Sequence, residues 1–244
     1  MSGEAPKPHR LHRIVIALVL IGLGATSAPA HPKPTGSRRA GQHGPEITDW
    51  PLRFDAERIA LTKAYIKKHY GLTPTGISIV PRAVVVHWTV TPSLKGTWRG
   101  FNRVRLRSSR KHILRGGHLN VSAHFLVSRK GKIYRLMSET QMARHCIGLN
   151  YDSIGIENVG GGKRWPLTKA QLSANVALIR YLVAKHPTIR YMLGHMEWKR
   201  FEKAPFFREL DPTYRNAKPD PGRRFMRGLR RRLRDLKLAD RYRK

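Results

Sequence analysis

The sequence predicts a single α/β domain, a central β-sheet flanked by helices, and three observations lead to it. Ala83-Val84-Val85-Val86 is a continuous apolar, β-branched run after Pro81, the pattern of a strand buried on both faces. Thr168 with Gln171 three residues on is a capping-box signature, and Ala170, Ala174, Ala177, Leu178, Tyr181 and Leu182 follow at helical spacing. Between and beyond these segments strand and helix signals interleave, as a layered sheet-and-helix domain requires.

Taken in order, residues 1–30 read as an export signal. Arg10 and Arg13 precede an apolar run from Ile14 to Leu23, and Ala28-Pro29-Ala30 supplies an A-x-A cleavage pattern. A membrane-spanning helix is the alternative for that run, but spanning takes about 20 apolar residues, roughly twice what stands here. Cleavage would start the mature chain near His31 and deliver it to the periplasm or the cell exterior. No cysteine follows the small-residue site, so no lipid anchor is suggested.

Residues 31–50 are rich in Pro, Gly, His and Arg and too poor in apolar groups to order themselves, so a linker is expected there, with the domain spanning 51–244. Leu52, Phe54, Ile59, Ala60, Ala64 and Ile66 predict a helix up to Tyr70, ended by Gly71. After the Ala83–Val86 strand, which delivers His87 at its exit, residues 91–120 hold many glycines and basic residues without periodicity and read as a long surface loop.

Val121–Ser128 and Ile133–Leu136 flank Arg129-Lys130-Gly131-Lys132, a hairpin pattern. Ser153–Glu157 is a further strand, stopped by Gly160-Gly161-Gly162. The capped helix from Thr168 ends before Pro187, and Ile189–Leu193 is a strand that again delivers a histidine, His195. From about residue 222 a helix carries Phe225, Leu229, Leu233 and Leu236 on one stripe and arginines elsewhere. Its basic face is either simply solvated or a contact for a membrane or a polyanion. No internal repeat is visible.

With 48 Lys and Arg against 15 Asp and Glu, the net charge is +33, and the chain beyond residue 30 keeps about +31 of it. Such charge favours anionic polymers, and for an exported protein these are envelope polymers more readily than DNA. No helix-turn-helix, zinc-finger or aromatic RNA-binding signature is present, so no nucleic-acid partner is expected. Cys146 is the sole cysteine, which excludes an intramolecular disulfide; it reads as a small buried hydrophobe, with a metal or redox role as the alternative.

His87 and His195, both at strand exits, are positioned by rigid backbone and can converge on one sheet edge. Lys218-Pro219-Asp220-Pro221-Gly222 is a rigid turn presenting a carboxylate and, two residues earlier, an ammonium. Two imidazoles and one carboxylate leave a fourth tetrahedral position for water, as a catalytic zinc requires. Asp211-Pro212 is a second carboxylate-proline pair, so Asp211 competes with Asp220. A Gly-x-Ser-x-Gly elbow and a His-Glu-x-x-His helix are absent, and Gly162-Lys163 lacks the residues of a phosphate-binding loop.

These segments resemble the zinc-dependent N-acetylmuramoyl-L-alanine amidases related to peptidoglycan recognition proteins. The matching pieces are Val84–Thr89, Ser122–Val127 with Gly131, Ala143-Arg144-His145, Asn150 with Ser153–Glu157, Gly194-His195 and Lys218–Gly222, all in the family's order. The resemblance implies a mixed central sheet, one Zn2+ held by His87, His195 and Asp220, Glu157 as general base and Lys218 as oxyanion stabiliser. His124, His145 and Asn150 match positions near the cleft and are substrate-contacting candidates. It further implies a monomer that cleaves the amide between N-acetylmuramic acid and L-alanine in peptidoglycan or muropeptides; a non-catalytic wall-binding protein of the same fold is the alternative. The basic surface adds anionic envelope polymers as possible partners.

Overall fold

The computed structural model describes residues 44–243. The expected export signal and residues 31–43 of the expected linker lie outside them. In chain order the strands are β1 (Ile47–Asp49), β2 (Ala83–Trp88), β3 (Phe125–Val127), β4 (Ile133–Arg135), β5 (Ser153–Asn158) and β6 (Tyr191–Gly194). The helices are α1 (Ala56–Tyr70), α2 (Leu94–Asn102), α3 (Lys111–Leu114), α4 (Lys169–Lys185) and α5 (Arg223–Arg232). The strands lie side by side in the order β1-β4-β3-β5-β2-β6. Only the β3–β4 hairpin is antiparallel; the other neighbours run parallel, which makes the sheet mixed.

Side chains alternate across a strand, so β2 serves two cores. Val84 and Val86, with Ile154, Ile156, Phe125 and Val127, meet Leu178, Ile179 and Leu182 of α4 and Phe225, Met226 and Leu229 of α5. Ala83 and Val85 turn to the other face, against Leu193, Trp198, Phe201 and Phe206. Burial on both faces is what the unbroken Val84-Val85-Val86 run demands. Cys146 packs in that second core, 2% exposed, as a small hydrophobe. At the start of α4 the Thr168 hydroxyl accepts from Gln171 N while the Gln171 amide accepts from Thr168 N, so the expected capping box is formed.

Two expectations are corrected. The linker does not reach residue 50: Ile47–Asp49 pairs in parallel with Ile133–Arg135, and Trp50 N and Leu52 N donate to Arg135 O and Leu136 O. Residues 91–120 are not one irregular loop, because they hold α2 and α3. Two buried arginines from elsewhere order this segment. Arg58 Nη2 donates to the carbonyls of Phe101, Asn102 and Arg103. Arg144 donates to the carbonyls of Ile113, Gly117 and Leu119 and to the Tyr214 hydroxyl.

Candidate active site

The parallel β2–β5 pairing sets His87 opposite Glu157 at the exits of the two central strands. One strand over, β6 ends at Gly194, and His195 opens a 3-10 turn that runs to Phe201. The third element is the Lys218–Gly222 turn, which is docked on β6: Met196 N donates to Asp220 O, and a Cβ on Gly194 would stand 2.7 Å from Pro221 Cδ. Glycine at 194 is thus required for the turn to approach.

His87 Nδ1 lies 3.0 Å from His195 Nδ1 and 3.2 Å from Asp220 Oδ2, and the latter two atoms are 3.0 Å apart. All three residues are buried and their ligand atoms form the metal-capable group found among the described residues. Asp211 takes no part. Its carboxylate instead accepts from the backbone N and the hydroxyl of Thr213 in a local turn.

The hydrogen-bond network tells which nitrogen His87 offers. Ser153 Oγ donates to Leu149 O, so both Ser153 oxygens near His145 Nε2, each at 3.4 Å, are acceptors and that nitrogen carries the proton. Burial and then the neighbouring His87 hold the His145 pKa well below its ordinary value, so the ring is neutral and its Nδ1 is an acceptor. His87 Nε2, 3.1 Å away, is therefore the donor. The lone pair of His87 Nδ1 then faces the centre of the group. His195 is likewise neutral, brought down to about 4 by burial and by His87.

Tetrahedral zinc with ligand bonds of about 2.0–2.1 Å separates its ligands by about 3.3 Å, close to the distances found. The donor set therefore fits zinc.

Beside the group opens a cleft of about 510 Å3. Glu157 lines it, half-buried, and its Oε2 is buried without a hydrogen-bond partner. Burial, reinforced by the charge of Asp220, pushes its carboxyl up to about 7 despite the pull of His87 and Lys218. Lys218 lines the same cleft, and Arg107 and Arg110 face it from the segment preceding α3.

The three substrate-contacting candidates are placed differently from expectation. His124 is fully buried, with Nε2 directed at Gln141 O and Nδ1 accepting from Gly155 N, so both nitrogens serve the backbone and neither is left for substrate. Asn150 borders the cleft, but its Oδ1 accepts from His145 N and Cys146 N and its amide faces the Tyr65 and Tyr70 hydroxyls, so it fastens the turn that carries His145. His145 also borders the cleft, yet one nitrogen is given to His87. Sequence reasoning missed this partner role. The available signal was Gly155, where a Cβ would stand 2.8 Å from His145 Cγ: the ring lies directly on the strand. Arg107 and Arg110 were missed too, because the segment carrying them shows no periodicity.

A family model described as N-acetylmuramoyl-L-alanine amidase matches residues 78–223. The chain belongs to this family. All the converging residues fall within the matched span, and membership in the N-acetylmuramoyl-L-alanine amidase family makes the chain a peptidoglycan amidase or a peptidoglycan-binding relative of one. No curated protein matches the sequence.

Among solved structures, the chain is similar to the endolysin N-acetylmuramoyl-L-alanine amidase LysCS from Clostridium intestinale, at 23% identity over 66% of this chain and 88% of that one, TM-score 0.42. It is similar to an AmpD derivative at 22% identity over 77% and 94%, TM-score 0.46. Bumblebee PGRP-SA shares 20% identity over 80% and 96%, TM-score 0.46.

Proposed function

We propose that the protein is an exported, monomeric, zinc-dependent amidase that hydrolyses the amide joining N-acetylmuramic acid to L-alanine in peptidoglycan or its fragments. The observation that carries this reading is the placement of a buried, unpartnered Glu157 Oε2 in the same cleft as the converging His87, His195 and Asp220. A binding protein has no use for an unpaired buried carboxylate, which costs stability. A hydrolase has.

His87, His195 and Asp220 would hold zinc, which when bound supplies Lewis acidity to activate water and polarise a carbonyl. Glu157 takes the proton from the attacking water at Oε2 and returns it to the leaving amine of L-alanine. A carboxyl brought up to about 7 is suited to both transfers near neutral pH. Lys218 offsets the negative charge that grows on the carbonyl oxygen. Arg107 and Arg110 give the cleft wall a charge that suits an acidic stem peptide. Export rests on residues 1–30 alone.

The test is to incubate the zinc-loaded protein with purified peptidoglycan, with and without chelator, and to identify products by mass spectrometry. Chelator-sensitive release of free stem peptides from intact glycan is expected. New reducing sugar ends, or binding without release, would overturn the reading.

A further inference from the structure

We infer that the outer face of α5 and the carboxy-terminal segment after it form a docking surface for a flexible phosphodiester polymer. This inference does not rest on the proposed catalytic activity.

In α5 the apolar residues Phe225, Met226 and Leu229 are spent on the core, on the sheet face opposite to that carrying His87. At about 100° per residue, Arg223, Arg224, Arg227 and Arg231 all fall within a single quarter to third of the helix circumference, and all four are exposed. Among the described residues none of the four forms an ion pair. The acids nearby are already engaged: Glu197 by Arg230 and Arg200, Asp240 by Arg200 and Arg241, Asp235 by Arg180.

This arrangement works against the helix. Arg223/Arg227 and Arg227/Arg231 are like charges at i,i+4, which repel. Arg223 and Arg224 also occupy the first two helical positions, where the helix dipole disfavours cations, and Gly222 brings no side-chain cap. A bound polyanion reverses the sign of each of these terms.

A second cavity, of about 230 Å3, lies beside the end of α5, where Arg234, Lys237 and Arg243 line it together with the Arg241–Asp240 pair. Its chemistry narrows the occupant. Guanidinium groups pair with phosphate oxygens in bidentate fashion. The stripe has no exposed apolar side chain to enter a bilayer. It also has no aromatic platform on which nucleic-acid bases stack, since Tyr242 is turned onto Phe206. Charges one helical turn apart, about 6 Å along the axis, suit a chain whose phosphates are separated by a short polyol.

The probe is labelled poly(glycerol phosphate), titrated with the full chain and followed by fluorescence anisotropy between about 50 and 200 mM salt. With four or five contacts, log K against log salt falls with a slope of about −3. Arg227→Gln with Arg231→Gln weakens binding at least about tenfold and flattens that slope by about 1.4, while the circular dichroism spectrum stays unchanged and the melting temperature, relieved of two like-charge pairs, does not fall. The inference is overturned if the wild type does not bind, or if the double variant binds as wild type. It is equally overturned if Lys63→Gln, Lys67→Gln and Lys95→Gln together cost as much, which would mean net charge alone. Tighter binding to phosphatidylglycerol vesicles or to duplex DNA than to the polymer would also overturn it.

Discussion

His145 Nδ1 stands 3.1 Å from His87 Nε2, with the His145 ring lying on the bare backbone of Gly155. The contact fixes the tautomer and the plane of His87, and so the direction of the Nδ1 lone pair toward His195 and Asp220. Groups that orient a metal-ligating histidine typically account for about 10–100-fold in metal affinity. His145→Ala is therefore expected to raise the zinc dissociation constant by that factor, read by competition with a chelator of known affinity, with the circular dichroism spectrum unchanged. Wild-type zinc affinity in the variant would remove His145 from this role.

A second expectation separates the two carboxylate-proline pairs. On the proposed zinc site, Asp220→Ala removes one of the three converging side chains and should leave the protein without stoichiometric zinc, measured by mass spectrometry of the metal after desalting. Asp211→Ala should keep it, since Asp211 only closes a turn on Thr213. The opposite pattern would exchange the two assignments.

How far these features can be seen in the sequence differs from element to element. The Val84–Val86 run, the Thr168/Gln171 box and the Phe225/Leu229 stripe are local patterns with one physical reading each, and they stand where expected. Asp220 was set apart from Asp211 only by the family resemblance of the Lys218–Gly222 turn. What escaped depends on partners distant in the chain. Ile47–Asp49 is a strand only because β4 offers it an edge, and α2 and α3 are held by Arg58 and Arg144, which the local composition cannot anticipate. Likewise His124 and His145 both match cleft positions in the family pattern, and only the packed structure sends one to the backbone and the other to His87.

For Glu157 the raised pKa gives a prediction with a definite sign. In zinc-free protein its folded value of about 7 exceeds the ordinary 4.5, so the folded form holds the proton more tightly than the unfolded chain. Its penalty is absent below about pH 4.5, grows as pH rises, and is complete above pH 7. Glu157→Gln mimics the neutral carboxyl. In chelator it should melt above wild type by about 5 °C at pH 8 and level with it at pH 4. Zinc-loaded, the same variant should keep its metal but lose about 10²–10⁴-fold in kcat. Equal melting at both pH values, or undiminished turnover, would contradict the assignment.

The last prediction concerns the segment that builds the cleft's basic wall. Arg144 is 3% exposed and has no carboxylate partner among the described residues; its charge is met by the carbonyls of Ile113, Gly117 and Leu119 and by the Tyr214 hydroxyl. Hydrogen bonds to a buried charged group are worth about 1.5–3 kcal/mol each, and deleting the donor also strands its acceptors. Arg144→Met should therefore destabilise the protein by about 3–5 kcal/mol in urea titration, whereas Arg107→Gln, at an exposed position, should be neutral to stability. If Arg144 holds the wall, hydrogen exchange in Arg144→Met accelerates first at residues 111–119, and KM for a soluble muropeptide rises more than kcat falls. Uniform acceleration across the sheet would instead make Arg144 a general support of the core, with no particular bearing on the cleft.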